Sequence, residues 1–154
     1  MKSTKQGLQW SWYGFDDMDL SMLYDMLALR EAIFVVEQEC LYQELDGRDK
    51  SALHLVVTGA DEVVACLRVL KPTNTDTRVK IGRVAVAPAW RRHGVARESL
   101  QMAIEKARRL FPSSPLYLEA QSYLHDFYES LGFQACGPEF LEDGIPHIPM
   151  QFVG

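Results

Sequence analysis

The sequence predicts a single mixed α+β domain spanning residues 1–154. Three observations carry that prediction: short apolar stretches of strand character, longer stretches with helical period between them, and no repeat, low-complexity run or linker to divide the chain. With 47% hydrophobic and 24% charged residues, 154 residues suffice for one genuine core.

The elements follow in order. Trp10-Ser11-Trp12-Tyr13 reads as a short strand. A helical stretch carries Leu20, Leu23, Tyr24, Leu27 and Phe34, with Asp19 or Ser21 as its cap. His54 to Thr58, Gly59-Ala60-Asp61-Glu62 and Val63 to Leu70 read as strand, turn and strand, a hairpin. Polar Lys71 to Arg78 forms a loop, and the next strand runs from Val79 to Val86. A helix then buries Ala96, Leu100, Ala103 and Ala107 on one stripe and ends near Phe111-Pro112. Leu116 to Ala120 is a buried strand. Leu124, Phe127, Tyr128 and Leu131, at i, i+3, i+4 and i+7, mark a short helix stopped by Gly132, and the tail adds one or two strands.

The segment from Arg83 to Ala96 is where chemistry enters. Strand-like Val84-Ala85-Val86 breaks at Pro88 and re-enters as a helix through the basic turn Arg91-Arg92-His93-Gly94-Val95-Ala96. A helix's first turn leaves N–H groups without intrahelical partners, and the macrodipole puts partial positive charge there, so the turn suits a phosphate. Gly94 permits close backbone approach, Ala96 keeps the next contact small, and Arg91, Arg92 and His93 add positive potential. Neither Gly-x-Gly-x-x-Gly after a strand nor Gly-x-x-x-x-Gly-Lys-Ser/Thr occurs, so the phosphorylated ligand is expected to be something other than NAD or ATP.

Arg91-x-x-Gly94-x-Ala96 after Val84-Ala85-Val86 resembles motif A of the GCN5-related N-acetyltransferases, the GNAT family. Leu116 to Gln121 followed by Phe127-Tyr128-Glu129-Ser130-Leu131-Gly132-Phe133 resembles that family's motif B. Ala28 to Tyr42, Glu44 to Asp49 with His54, and Glu142-Asp143-Gly144-Ile145-Pro146-His147 resemble its ElaA-like branch, so the likeness runs from about residue 10 to 152.

The resemblance implies the acyl-CoA N-acyltransferase fold: a central, mostly antiparallel mixed sheet splayed between two parallel strands and flanked by helices. It implies acetyl-CoA as cosubstrate, with no metal. The pyrophosphate would lie on Arg91, Arg92, His93, Gly94, Val95 and Ala96, and the pantetheine arm along Val84, Ala85 and Val86, with Gln121 touching it past the second strand. The implied reaction is direct transfer of an acetyl group to a primary amine of a small molecule or peptide, with Tyr128 as general acid toward the departing sulfur. On its apolar stripe Tyr128 also reads as a core residue.

The reaction's own needs frame the rest. An amine of pKa about 10.4 is protonated at neutral pH and must lose a proton before it attacks. Where many relatives carry a glutamate before the phosphate turn, this chain has Arg83, leaving Glu37, Glu119, His54 and His147 as candidate bases. Glu37 is thus a catalytic candidate, and with Tyr42 and His147 a candidate for the acceptor site. Glu37, Glu39, Glu44, Asp46 and Asp49 cluster with only Arg48 opposing them nearby, which reads either as a solvated loop or as an electrostatic lure for a cationic amine.

Composition also excludes. A net charge of −5 is the wrong sign for a nucleic-acid surface. Cys40, Cys66 and Cys136 are odd in number and widely spaced, without the pattern of a zinc site or disulfide framework, which suits the cytoplasm. Met1 to Gly7 lacks an apolar leader, and no apolar run approaches a membrane span. A homodimer is compatible with the resemblance, with Trp90 or Ile148 to Phe152 as its surface. Two other functions stay open: an acyl-homoserine-lactone-synthase-like acyltransferase, suggested by Arg30-x-x-x-Phe34-Val35, and a non-catalytic acyl-CoA-binding module.

Overall fold

The computed structural model describes residues 7–154, so the expected lack of a leader falls largely outside the described residues. Eight strands form one sheet: β1 (Gln9–Gly14), β2 (Leu53–Gly59), β3 (Glu62–Leu70), β4 (Val79–Val86), β5 (Leu116–Gln121), β6 (Phe133–Ala135), β7 (Phe140–Glu142) and β8 (Ile145–Phe152). The order is β1-β2-β3-β4-β5-β8-β6, with β7 also on β8. Every pairing is antiparallel except β4 with β5. The helices are α1 (Leu20–Glu31), α2 (Val95–Leu110) and α3 (His125–Glu129).

Strand alternation sends successive side chains to opposite faces. Leu55, Leu67 and Val69 pack with Leu100, Ala103 and Ala107 of α2, whereas Val56 and Cys66 pack with Met26 of α1 and Ile33 just beyond it. The sheet is therefore covered on both faces. The β2–β3 turn is the expected one: Ala60 (φ 51°) and Asp61 (φ 64°) are both left-handed, as a two-residue hairpin of type I′ requires. Asp19 caps α1 by accepting from the Met22 N–H at 2.7 Å. Gly132, at φ +104°, ends the α3 segment beneath Phe152.

Two expectations need correction. The buried face of α1 is Met26 and Arg30, while Leu20 is 84% and Tyr24 75% exposed. A guanidinium can take the core position because Glu44 and Asp49 neutralise it. Beyond Glu31 the helix also widens into a π-helical segment over Ala32–Glu37, with Gln38 N–H to Ile33 C=O and Cys40 N–H to Val35 C=O bonds, which breaks the 3.6-residue phase. Second, three strands rather than one or two follow α3. Of the residues considered for a dimer surface, Met150 is fully buried, whereas Trp90, Ile148 and Phe152 are half-buried.

Among the described residues no helix is long and apolar enough to cross a membrane. All three cysteines are free, and burial pushes the Cys66 thiol up to about 12, which keeps it unreactive.

Candidate functional site

The site begins with a failure of strand pairing. β4 and β5 pair only at Val79 with Leu116 and Lys80 with Tyr117. Beyond those two rungs, β4 has no strand partner on its β5 side. One cause is a bulge: Cys66 faces Ala85 and Arg68 faces Gly82, so Arg83 and Val84 together oppose Leu67, and Arg83 takes φ +52°. The bulge bends β4 and turns Arg83 toward Glu44.

The opened V holds a cavity of about 890 Å³ whose walls include Val84, Val86, Gln121, Tyr128, Tyr42 and His147. Ala85 faces the other way, into the core at 1% exposure and paired with Cys66. A second pocket of about 210 Å³ shares Val86, Arg91, Arg92 and Ala96 with the first and adds Gly94 and Val95. Here the chain enters α2. Arg92 (φ 65°) and Gly94 (φ 77°) are both left-handed, and Gly94 caps the helix with no side-chain acceptor for the first-turn N–H groups. A helix start whose cap offers no side-chain acceptor, beside two arginines, has the chemistry to hold an anion. His93 turns toward Trp90, at 6.2 Å between rings.

Arg91 is already engaged. Its two terminal nitrogens donate to both Glu37 oxygens at 2.8 and 2.7 Å, and its Nε donates to the Val86 carbonyl at 3.1 Å. The π-helical turn at the end of α1 delivers Glu37 to this position. The Arg91 hydrogen bonds hold the Glu37 carboxyl below its ordinary value, making it a poorer proton acceptor.

Tyr128 projects from α3 with 7% exposure, its ring edge-on to Phe127 and Phe133. Burial pushes its hydroxyl up to about 12, so it stays protonated across the physiological range.

The acidic cluster belongs to the fold. Arg30 donates through Nε to Glu44 at 2.9 Å and through Nη1 to Asp49 at 2.7 Å. Arg68 joins Asp46 and Asp49, and Arg83 donates to Glu44 at 2.6 Å. Tyr42 donates to the remaining Glu44 oxygen at 3.0 Å. Three arginines thus interleave with Glu44, Asp46 and Asp49, so these carboxylates are not a free lure. In the sequence Arg30 and Arg83 stood out for other reasons and Arg68 not at all, so none of the three was expected to neutralise this cluster. The available signal was Arg30 itself, four residues after Met26 and three before Ile33 on one helix face.

His54, expected as a candidate base, is fully buried, with Nε2 2.9 Å from the Asp49 carbonyl, and it does not line the cavity. Glu119 accepts from the Tyr117 hydroxyl at 2.9 Å. His147 lines the cavity, paired in register with Gln121 at the open end of the V.

An open V between two parallel strands, an uncapped basic helix start at one end and a buried tyrosine within are the arrangement of an acyltransferase, and the chain belongs to the GNAT family: the model for the acetyltransferase (GNAT) domain matches residues 23–153. Within it the chain is ElaA-like, being 39% identical over 145 residues to Protein ElaA of Escherichia coli strain K12, an alignment covering 93% of this chain and 95% of that one. An acyl-CoA N-acyltransferase of Pseudomonas aeruginosa superposes with a TM-score of 0.90 at 39% identity, covering 95% of this chain and 99% of the other. The crystal structure of Escherichia coli ElaA gives a TM-score of 0.88 at 38% identity, over 95% and 99% of the two chains.

Proposed function

We propose that this protein is an acetyl-CoA-dependent N-acetyltransferase that moves an acetyl group directly to a primary amine of a small molecule or peptide. The observation that carries the reading is the continuity of the split between β4 and β5 with the uncapped start of α2. An extended thioester arm fits the split as an added strand would, using backbone groups of Val84 and Val86 that β5 does not pair. The N–H groups of Val95 and Ala96, with Arg92, would take the pyrophosphate, and Gln121 would border the arm from the β5 side. Glu37 acts here through Arg91, holding the guanidinium at the cradle's edge.

Bound acetyl-CoA supplies an activated acyl group, and the chain's own residues must orient it and move protons. Tyr128 gives its hydroxyl proton to the sulfur as the C–S bond breaks. Burial makes Tyr128 a weaker acid, but it equally raises the basicity of a thiolate expelled beside it. Tyr128→Phe keeps the ring contacts with Phe127 and Phe133, so acetyl-CoA binding is expected to be unchanged while kcat falls by about 10²-fold. An unaltered kcat returns Tyr128 to the core.

Thermal unfolding tests the reading directly. At about 100 times its Kd, acetyl-CoA or coenzyme A is expected to stabilise by about 2.7 kcal/mol, raising Tm by roughly 5–10 °C, while NAD and ATP do nothing. A shift with S-adenosylmethionine would instead support the homoserine-lactone-synthase-like alternative. A coenzyme A shift without amine-dependent turnover would support the binding module. No shift with either coenzyme A ligand overturns the transferase reading.

A further inference from the structure

The transfer reading leaves one chemical role unfilled: the group that takes the proton from the acceptor's ammonium. Most titratable groups around the cavity are unsuited to it. Glu37 is bound by Arg91 and Asp46 by Arg68 and Arg83, and both carboxyls lie below their ordinary values. Tyr42 and Tyr117 are raised by burial and by their carboxylate partners, and Lys80 is a cation paired with Asp76 at 3.1 Å. Glu119, Glu142 and Asp143 lie open to solvent, and Glu119 already accepts from the Tyr117 hydroxyl at 2.9 Å.

His147 is different. Its Nδ1 lies 2.7 Å from the Ile145 carbonyl, and a carbonyl can only accept, so Nδ1 carries the hydrogen. In the neutral ring the lone pair is therefore on Nε2. The imidazole is 7% exposed, stacks on Phe140 with ring centres 5.8 Å apart and planes at 27°, and lines the same cavity as Tyr128. Glu142 is 3.9 Å from Nε2, close enough to stabilise the imidazolium that forms on protonation. Tautomer, ring plane and counter-charge are thus all set by neighbours on β7 and β8, which is how a base is held ready.

We infer that His147 Nε2 is the general base of the transfer, an assignment that rests on the acetyltransferase reading above. His147 removes one proton from the acceptor ammonium. The freed nitrogen lone pair forms the N–C bond, and the C–S electron pair passes to sulfur, which takes the Tyr128 proton. The second amine proton replaces that of Tyr128 through solvent, and His147 releases its own to solvent. The sum is thioester plus ammonium giving amide, thiol and one proton.

The test has two independent parts. Long-range proton–nitrogen NMR of the ligand-free protein is expected to show His147 as the Nδ1–H tautomer; an Nε2–H tautomer overturns the assignment whatever the activity. Second, His147→Gln is expected to keep the acetyl-CoA thermal shift. Its transfer to ethylamine should fall by about 10²-fold, but transfer to 2,2,2-trifluoroethylamine, similar in shape and largely unprotonated at neutral pH, by only about threefold. Equal losses with both amines mean that His147 only shapes the pocket, and no loss with ethylamine removes it from catalysis. Loss of the wild-type acetyl-CoA shift would sink the transferase reading, whereas these outcomes concern the base alone.

Discussion

Gly94→Glu is expected to eliminate the acetyl-CoA thermal shift while leaving the protein folded. Gly94 is the cap of α2 at φ +77°, and its neighbours' N–H groups have no side-chain acceptor from the cap position. A glutamate there acts in two ways. Its carboxylate is drawn to the same positive helix start that would bind pyrophosphate, and so competes for the site as an internal anion. Any bound phosphate then meets a negative charge at close range, with an attraction replaced by a repulsion. A non-glycine residue in the left-handed region costs only about 1–2 kcal/mol, small enough for a domain of this size to tolerate. Gly94→Ala separates the effects, since it carries the same backbone strain without the charge. Alanine should lower Tm slightly and keep most of the ligand shift, whereas glutamate should remove the shift. Retention of binding in the glutamate variant would mean that the phosphate does not sit on this turn, and the cavity would need another ligand.

What could be read from the chain, and what could not, separates by range of interaction. The β2–β3 hairpin and the entry into α2 were legible because their determinants are local: Ala60 and Asp61 at a two-residue turn, Pro88 and Gly94 around a basic loop. The α2 stripe was equally plain, with Leu100, Ala103 and Ala107 buried as expected and Ala96 turned to the cavity. The face of α1 was not, because its buried side contains an arginine whose partners lie 14 and 19 residues away. The acidic run gave no hint that its counter-charges include Arg68 and Arg83, up to 39 residues distant. The last strands were obscured by their brevity and by Pro146 and Pro149 within β8. As for the site, the helix-start turn and Tyr128 were proposed from motifs, but choosing among Glu37, Glu119, His54 and His147 required geometry, since only partners and position show Glu37 bound by Arg91, Glu119 by Tyr117, and His54 buried away from the cavity that His147 lines.

Arg30→Met is expected to be the most destabilising of the substitutions considered. Arg30 is 1% exposed and binds Glu44 and Asp49, themselves 6% and 7% exposed. Methionine occupies similar space but leaves two buried carboxylates with one arginine fewer between them. Breaking a buried ion cluster from one side costs about 3–5 kcal/mol, because the remaining charges lose their compensation. At this chain length that corresponds to a Tm lower by roughly 6–20 °C. The pH dependence follows from the carboxylates. Burial raises Asp49 and Asp46, but the hydrogen bonds from Arg30 to Asp49 and from Arg68 to both outweigh it, and both end below their ordinary values. A carboxyl depressed in the folded state contributes stability above its unfolded pKa near 3.9 and loses it as pH falls toward the folded value. The difference in Tm between wild type and Arg30→Met should therefore be constant from about pH 5 to 8 and narrow below about pH 4. Scanning calorimetry across that range decides the matter. A deficit that is absent at pH 7, or that widens in acid, would show that the arginines are not what makes these carboxylates tolerable in the interior.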